Sequence, residues 1–298
     1  MQYQQLGKSS LQVSRVGFGC MSLQPGQQDV QQLLHAAIER GINFFDTADL
    51  YEKGLNELAV GKSLKTKRQQ VILATKAGNQ WRPDGSGWDW NPRKPYILSA
   101  AEKSLKRLQT DYIDLYQLHG GTIEDPIDET IAAFEQLQQE GNIRYYGISS
   151  IRPNVIREYV RRSNITSVMM QYSLLDRRPE ETCLPLLQEH NIGVLARGTV
   201  AGGLLAGKPP HNYLAHSAAV VAQGAAAIKN LAGQKRTAAG LAIQFALQQP
   251  GITAAIIGIR TLQQLTEAVE ATGLEPLSQN EMLNLLKAVP TLIYSDHR

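Results

Sequence analysis

The sequence predicts an α/β fold, a (β/α)8 TIM barrel with an N-terminal β-hairpin and extra helices, and three observations carry that prediction. Short continuous apolar runs alternate with amphipathic stretches in one unbroken series, the signature of buried parallel strands covered by helices. The 298 residues suit a single barrel of about 250 residues plus insertions. An open doubly wound sheet usually carries a Gly-rich phosphate turn after its first strand, and Gly17-Phe18-Gly19-Cys20-Met21 does not supply one.

The chain opens with a hairpin pattern: Tyr3 to Leu6, a turn at Gly7-Lys8-Ser9-Ser10, then Leu11 to Val13. Strand-like runs follow at Val16–Cys20, Ile42–Phe45, Val71–Thr75, Ile113–Leu118, Tyr145–Ile148, Ser167–Met170, Gly193–Ala196 and Ala254–Ile257. Between them lie helical patterns at Asp29–Arg40, Asn56–Leu64, Ile97–Leu108, Ile127–Glu140, Val155–Arg162 and Thr182–His190. Thr237–Gln248 and Leu262–Ala271 complete the series. Ala215–Leu231 and Gln279–Ala288 read as helices additional to the repeat. No Pro/Gly/Ser linker divides the chain, so residues 1–298 are expected to form one domain.

With 43% hydrophobic and 19% charged residues, the chain can bury a large core. The net charge is +3 and the basic residues are scattered. No basic stripe is interleaved with aromatics, which argues against a nucleic-acid partner. The two cysteines, Cys20 and Cys183, form neither a disulfide framework nor a Cys-x-x-Cys pair. No apolar run approaches the roughly 20 residues that span a bilayer. A cytoplasmic location without membrane association is the expectation.

In a barrel, the loops after the strands form the active-site face, so polar residues just beyond strand ends are the ones to inspect. Asp46 ends one run, with Tyr51 shortly after it; Lys76 and His119 end the next two. Ser149, Gln171 and Arg197 end the three that follow. Each has an ordinary alternative: a turn cap for Asp46, a surface lysine, a rim histidine, a tyrosine packed under a loop. Together they converge on one mouth and make chemical sense. Carbonyl reduction needs a hydride at carbon and a proton at oxygen. A phenol is a reluctant acid–base at neutral pH. An adjacent ammonium lowers its pKa, and an aspartate holds that ammonium charged. A histidine can hydrogen-bond the carbonyl oxygen. No comparable set of His and carboxylate groups at several strand ends suggests a metal site.

In the stretch Gly41-Ile42-Asn43-Phe44-Phe45-Asp46-Thr47-Ala48-Asp49-Leu50-Tyr51, followed by Gly54 and Glu57, the chain resembles the aldo-keto reductase family. The likeness extends through Ala74-Thr75-Lys76, Asp114 to His119, and Gly141 to Ser149, and covers nearly the whole chain. It implies a barrel that binds NADPH/NADP across its C-terminal mouth without a Rossmann domain, with NADH as the other candidate. It implies Asp46, Tyr51, Lys76 and His119 as the catalytic set, Tyr51 being the proton donor. It also implies cofactor contacts from Met21, Asp46, Ser149, Gln171, Arg197, Gly198 and Val200, the loop 198–207 crossing the pyrophosphate. Gly258, Arg260, Gln264 and Glu267 correspond to the adenosine end, and the Arg260 guanidinium fits a 2′-phosphate.

The sequence departs from the family pattern at four positions. Arg197 stands where an aromatic usually stacks on the nicotinamide, Ser150 and Ala268 replace asparagines, and Ile257 replaces a proline. A cation at 197 is expected to disfavour NADP⁺ relative to neutral NADPH.

Substrate contacts are expected from Tyr51 and His119 and from Trp81, Trp88 and Trp90. The loop after Lys76 holds all three tryptophans of the chain and reads as an aromatic wall or lid. The expected partner is a small-molecule carbonyl compound, the chain acting as a monomer or small homo-oligomer. Two other readings stay open on the same residues. One is an NAD-dependent sugar dehydrogenase; the other is an NADPH-binding redox-sensing subunit similar to the potassium-channel β subunits.

Overall fold

A computed structural model describes residues 1–23, 26–233 and 236–298. The elements run β1 (Tyr3–Gln5), β2 (Gln12–Ser14), β3 (Val16–Gly19), α1 (Val30–Glu39), β4 (Phe44–Asp46), α2 (Leu55–Leu64) and β5 (Ile72–Ala77). Then come β6 (Asn79–Trp81), β7 (Trp88–Trp90), α3 (Lys94–Leu108), β8 (Ile113–Leu118), α4 (Ile127–Gln139), β9 (Ile143–Ser149), α5 (Pro153–Arg162) and β10 (Ser167–Gln171). The chain continues through α6 (Cys183–Glu189), β11 (Gly193–Arg197), α7 (Ala218–Leu231), α8 (Ala238–Leu247), β12 (Ile252–Gly258), α9 (Leu262–Glu270) and α10 (Gln279–Ala288).

Among the described residues, β3, β4, β5, β8, β9, β10, β11 and β12 close into a parallel barrel, with β12 pairing back onto β3. The (β/α)8 expectation is met, and each anticipated barrel strand is present with its ends shifted by at most two residues. One element escaped the sequence reading. The tryptophan-bearing segment after Lys76 contains an antiparallel hairpin, β6–β7, with Trp81 opposite Trp88. The doubly bonded Arg82–Asp89 ion pair ties its tip together.

Successive side chains of a strand point to opposite faces, and that period orders the whole barrel. Phe44, Ala74, Leu115, Met169, Leu195, Ala254 and Ile256 point inward and pack together. Their neighbours Phe45, Leu73, Tyr116, Val168, Val194 and Ala255 point outward, into the layer shared with the helices. On β3 the inward positions fall to Gly17 and Gly19. A methyl group at Gly17 would lie 2.7 Å from Ile256 Cδ1 and 2.9 Å from Phe44 Cδ1, so this strand yields its interior space to its neighbours.

The β1–β2 hairpin plugs the N-terminal end of the barrel. Leu6, Leu11 and Val13 join the inner apolar cluster. Gly7, at the turn, has φ +54, and a Cβ there would meet Thr166 O at 2.4 Å and the Gly193 nitrogen at 2.5 Å. With one end sealed by apolar side chains, the polar cavity can open only at the other. Among the described residues no helix is long and apolar enough to cross a membrane.

Because Gly7→Ala adds left-handed strain and a backbone clash, it should destabilise the chain by about 2–4 kcal/mol in urea unfolding. A change below about 0.5 kcal/mol would show that the hairpin does not seat against the barrel floor.

Candidate active site

The inward period carries polar residues to the mouth. Asp46 follows Phe44 by two, Lys76 follows Ala74, Gln117 follows Leu115, Gln171 follows Met169, Arg197 follows Leu195 and Gly258 follows Ile256. Strand register aligns several of them across neighbours: Lys76 beside Gln117, Gln171 beside Arg197, Gly19 beside Asp46.

At the centre lies a sealed ion pair. Lys76 is 1% exposed and Asp46 4%. Lys76 Nζ donates to Asp46 Oδ2 at 2.7 Å and to the Thr47 carbonyl at 2.8 Å, while Gln117 Nε2 stands 3.5 Å from Asp46 Oδ1. Burial alone would drive the ammonium pKa down; Asp46 and Tyr51 more than reverse this and hold it above the ordinary lysine value. Burial likewise raises the Asp46 carboxyl, with Lys76 pulling against it.

Tyr51 starts a short turn after β4, its N–H bonded to the Ala48 carbonyl. Glu52 and Lys53 then adopt left-handed backbone, φ 50 and 55, before Gly54 leads into α2. The Tyr51 ring centroid is 5.4 Å from Lys76 Nζ and meets the His119 ring edge-on at 5.8 Å. The phenol departs from expectation in one respect. Its pKa lies above the ordinary tyrosine value, because burial outweighs the downward pull of Lys76. His119 is held neutral: burial, then Lys76 and Arg197, lower its pKa to about 3. Its Nδ1 is buried without a hydrogen-bond partner among the described residues.

These groups face a cavity of about 630 Å³, large enough for a small-molecule site. Of the residues expected at the site, Met21, Tyr51, Lys76, His119, Trp88, Trp90, Ser149 and Arg197 line it. Asp46 sits behind Lys76 and does not. Gln171 lies beside the mouth, donating to Asp176 and Tyr213 and accepting from Arg197 Nη1 at 3.1 Å. Gly198 packs against the Gln171 side chain, and Val200 begins the turn Ala201–Ala206. Gly258 ends β12, Arg260 is exposed with its N–H bonded to Gln264, and Glu267 lies half-buried on α9. Ala268 is packed in the core.

Trp81 departs from the expected substrate wall. It lines a smaller neighbouring pocket and its Nε1 donates to the Leu50 carbonyl at 3.1 Å, pinning the hairpin to the turn before Tyr51. Trp90 is anchored through Nε1 to Asp125 at 2.9 Å, and Trp88 is 48% exposed at the rim. Sequence reasoning missed Gln117, Asn79, Arg152 and Met169. Inward parity alone could have flagged Gln117 and Met169. Arg152, bonded to the Gly121 carbonyl, sits beyond a strand end and gave no such signal. Among the described residues no group of three or more His, Cys, Asp or Glu is placed to hold a metal ion.

Two outcomes follow from these electrostatics. Asp46→Asn leaves a buried ammonium without its counter-charge and should cost about 3–5 kcal/mol in chemical denaturation; Lys76→Met with Asp46→Leu should cost much less. Because its folded pKa is depressed, His119 should stay neutral until the pH falls towards about 3. Its imidazole resonances should therefore stay unshifted by NMR between about pH 8 and 5. Titration inside that window would refute the assigned environment.

Comparison with known proteins shows what the sequence and fold are similar to. The aldo/keto reductase family model matches residues 15–289. The chain is 50% identical, over the full length of both, to an uncharacterized oxidoreductase, YqkF, of Bacillus subtilis. It is 33% identical to a probable aldo-keto reductase 1 of Glycine max, over 96% of this chain and 88% of that one. Among solved structures it superimposes on the holo form of aldo-keto reductase AKR11C1 from Bacillus halodurans with TM-score 0.93 and 50% identity, covering 100% and 99% of the two chains. Glycerol dehydrogenase AKR11B4 from Gluconobacter oxydans gives TM-score 0.84 at 25% identity, over 99% and 98%. The sealed Lys76–Asp46 pair beside Tyr51 and His119 thus sits on a fold and sequence shared with these oxidoreductases, and the chain belongs to the aldo/keto reductase family.

Proposed function

We propose that the chain reduces aldehydes and ketones with NADPH and oxidises the corresponding alcohols in reverse, with Tyr51 transferring the proton. The observation that carries this reading is the meeting of phenol, buried ammonium and neutral imidazole at one cavity wall.

The mouth suits a nicotinamide dinucleotide. It is an open cavity of about 630 Å³ with Ser149 and Arg197 in its lining. The buried Thr199 hydroxyl, in the loop expected to cross a pyrophosphate, has no partner among the described residues. When bound, the cofactor supplies the hydride that reaches the carbonyl carbon. The chain's own residues manage the proton and the charge. His119, being neutral, can hydrogen-bond the carbonyl oxygen without competing for its proton. Tyr51 enters the reaction protonated, since burial keeps its pKa high. As negative charge develops on the substrate oxygen, the Oη proton passes to it. The phenolate left behind lies beside the Lys76 ammonium, which Asp46 keeps charged. Lys76 thus favours the transfer by stabilising its product rather than by ionising the phenol beforehand.

Arg260 supports the preference for NADPH: it is exposed and forms no ion pair among the described residues, so its guanidinium is open to a phosphate. Met21, Trp88, Trp90 and Ile151 give the mouth apolar walls suited to the non-reacting part of a carbonyl substrate. The likeness to a glycerol dehydrogenase favours alcohol oxidation as the second reading.

Tyr51→Phe should lower turnover on a carbonyl panel by about a hundred- to ten-thousand-fold and leave NADPH affinity, followed by tryptophan quenching, nearly unchanged. Survival of turnover would remove Tyr51 as the donor. Arg260→Ala should weaken NADPH about tenfold or more and leave NADH unaffected. Equal losses for both cofactors would withdraw the 2′-phosphate assignment.

A further inference from the structure

Behind the turn that carries Tyr51 lies a second cavity, of about 210 Å³, separate from the barrel mouth and sharing Asn79 with it. Asp49, Lys53, Trp81, Tyr96, Lys103 and Arg107 line it, and neither the proton transfer nor the cofactor uses it. Its charges are unevenly matched. Arg107 is neutralised by the fully buried Glu57 at 2.6 Å, which also accepts from Thr75 at 2.6 Å. Lys53 reaches the Gly85 carbonyl at 3.3 Å and the face of Trp81 at 5.1 Å. Lys103 is exposed and, among the described residues, makes no hydrogen bond or ion pair. Among the described residues neither ammonium forms an ion pair, although Asp84 lies in the field of Lys53 and Glu102 in that of Lys103.

The floor carries an independent signal. Asp49 is 8% exposed. Its Oδ2 accepts from the Tyr96 hydroxyl at 3.2 Å, and its Oδ1 is buried with no partner within hydrogen-bond distance among the described residues. A buried carboxylate oxygen left unsatisfied is costly, and here it adjoins a cavity that can admit a hydrogen-bond donor. The two halves of the pocket ask for different ends of one molecule: an anion between Lys53 and Lys103, and a hydroxyl against Asp49.

We propose that this cavity is a second ligand site, built for a small phosphate ester that also carries a hydroxyl group. A cation is disfavoured, because with Arg107 paired to Glu57 the two ammonium groups of Lys53 and Lys103 still outnumber the one lining carboxylate, Asp49. The groups facing Asp49 are consistent with an anionic guest. Burial and then Glu57 of α2 push its carboxyl up to about 7, against Tyr96 and Arg107 of α3. Lys53 and Lys103 border the same space, and Tyr116 of β8 stands within its field. Near neutrality Asp49 can thus take up a proton as a phosphate arrives instead of repelling it.

The test is calorimetric titration of the whole chain with glycerol 3-phosphate, and separately with inorganic phosphate, at constant ionic strength. Glycerol 3-phosphate should bind saturably and about tenfold more tightly than inorganic phosphate. Lys103→Glu, an exposed change on α3, should weaken the ester about tenfold or more with the thermal midpoint and carbonyl turnover unchanged. Asp49→Ala, which removes the acceptor altogether, should erase the preference for the ester over inorganic phosphate. Absence of saturable binding in the millimolar range would overturn the proposal. So would ester binding untouched by Lys103→Glu, which would place it elsewhere, in the barrel mouth included. Should Asp49→Ala fail to fold, the Lys103 variant decides alone. The binding readouts do not require turnover, so they stand or fall apart from the carbonyl-reductase reading.

Discussion

The ammonium of Lys76, closed off from solvent against Asp46, is the constraint on which the barrel mouth depends. Ionic groups are carried out of water only when their partners are close and well aimed. Here Asp46 Oδ2 and the Thr47 carbonyl both lie within 2.8 Å of Nζ. That requirement fixes the ends of β4 and β5 relative to one another and leaves a positive charge under the Tyr51 ring. It also reinforces the burial that keeps His119 neutral: a second cation beside the first, in the same dry space, would be repelled.

The pair reaches its place through simple geometry. With inward residues recurring every second position, the seven inner apolar side chains of the barrel and the mouth residues belong to the same rows. The hairpin that carries Leu6, Leu11 and Val13 closes the far end, so those rows can turn polar at one end only. On this chain the apolar floor and the polar mouth are two consequences of a single period.

Much of this was readable in the residues themselves. Continuous apolar runs located the eight barrel strands, and the polar residue ending each run located most of the mouth. The hairpin β6–β7 was not readable, because Asn79–Trp81 and Trp88–Trp90 are short and are held by long-range bonds to Leu50 and Asp125 rather than by local pattern. Arg152 and the Asp49 pocket were hidden for a related reason: each is assembled from loops and helices distant in sequence. The sign of the Tyr51 shift was misjudged because charge proximity can be guessed from a motif, whereas the depth of burial opposing it cannot.

The most direct measurement is the titration of that phenol, obtained as the difference in phenolate absorbance between the chain and its Tyr51→Phe variant, with and without Lys76→Met. If the buried ammonium stabilises the phenolate, the midpoint must lie at higher pH once Lys76 is gone. A midpoint that does not move on loss of Lys76, or that moves down, would contradict the electrostatic arrangement described for the mouth.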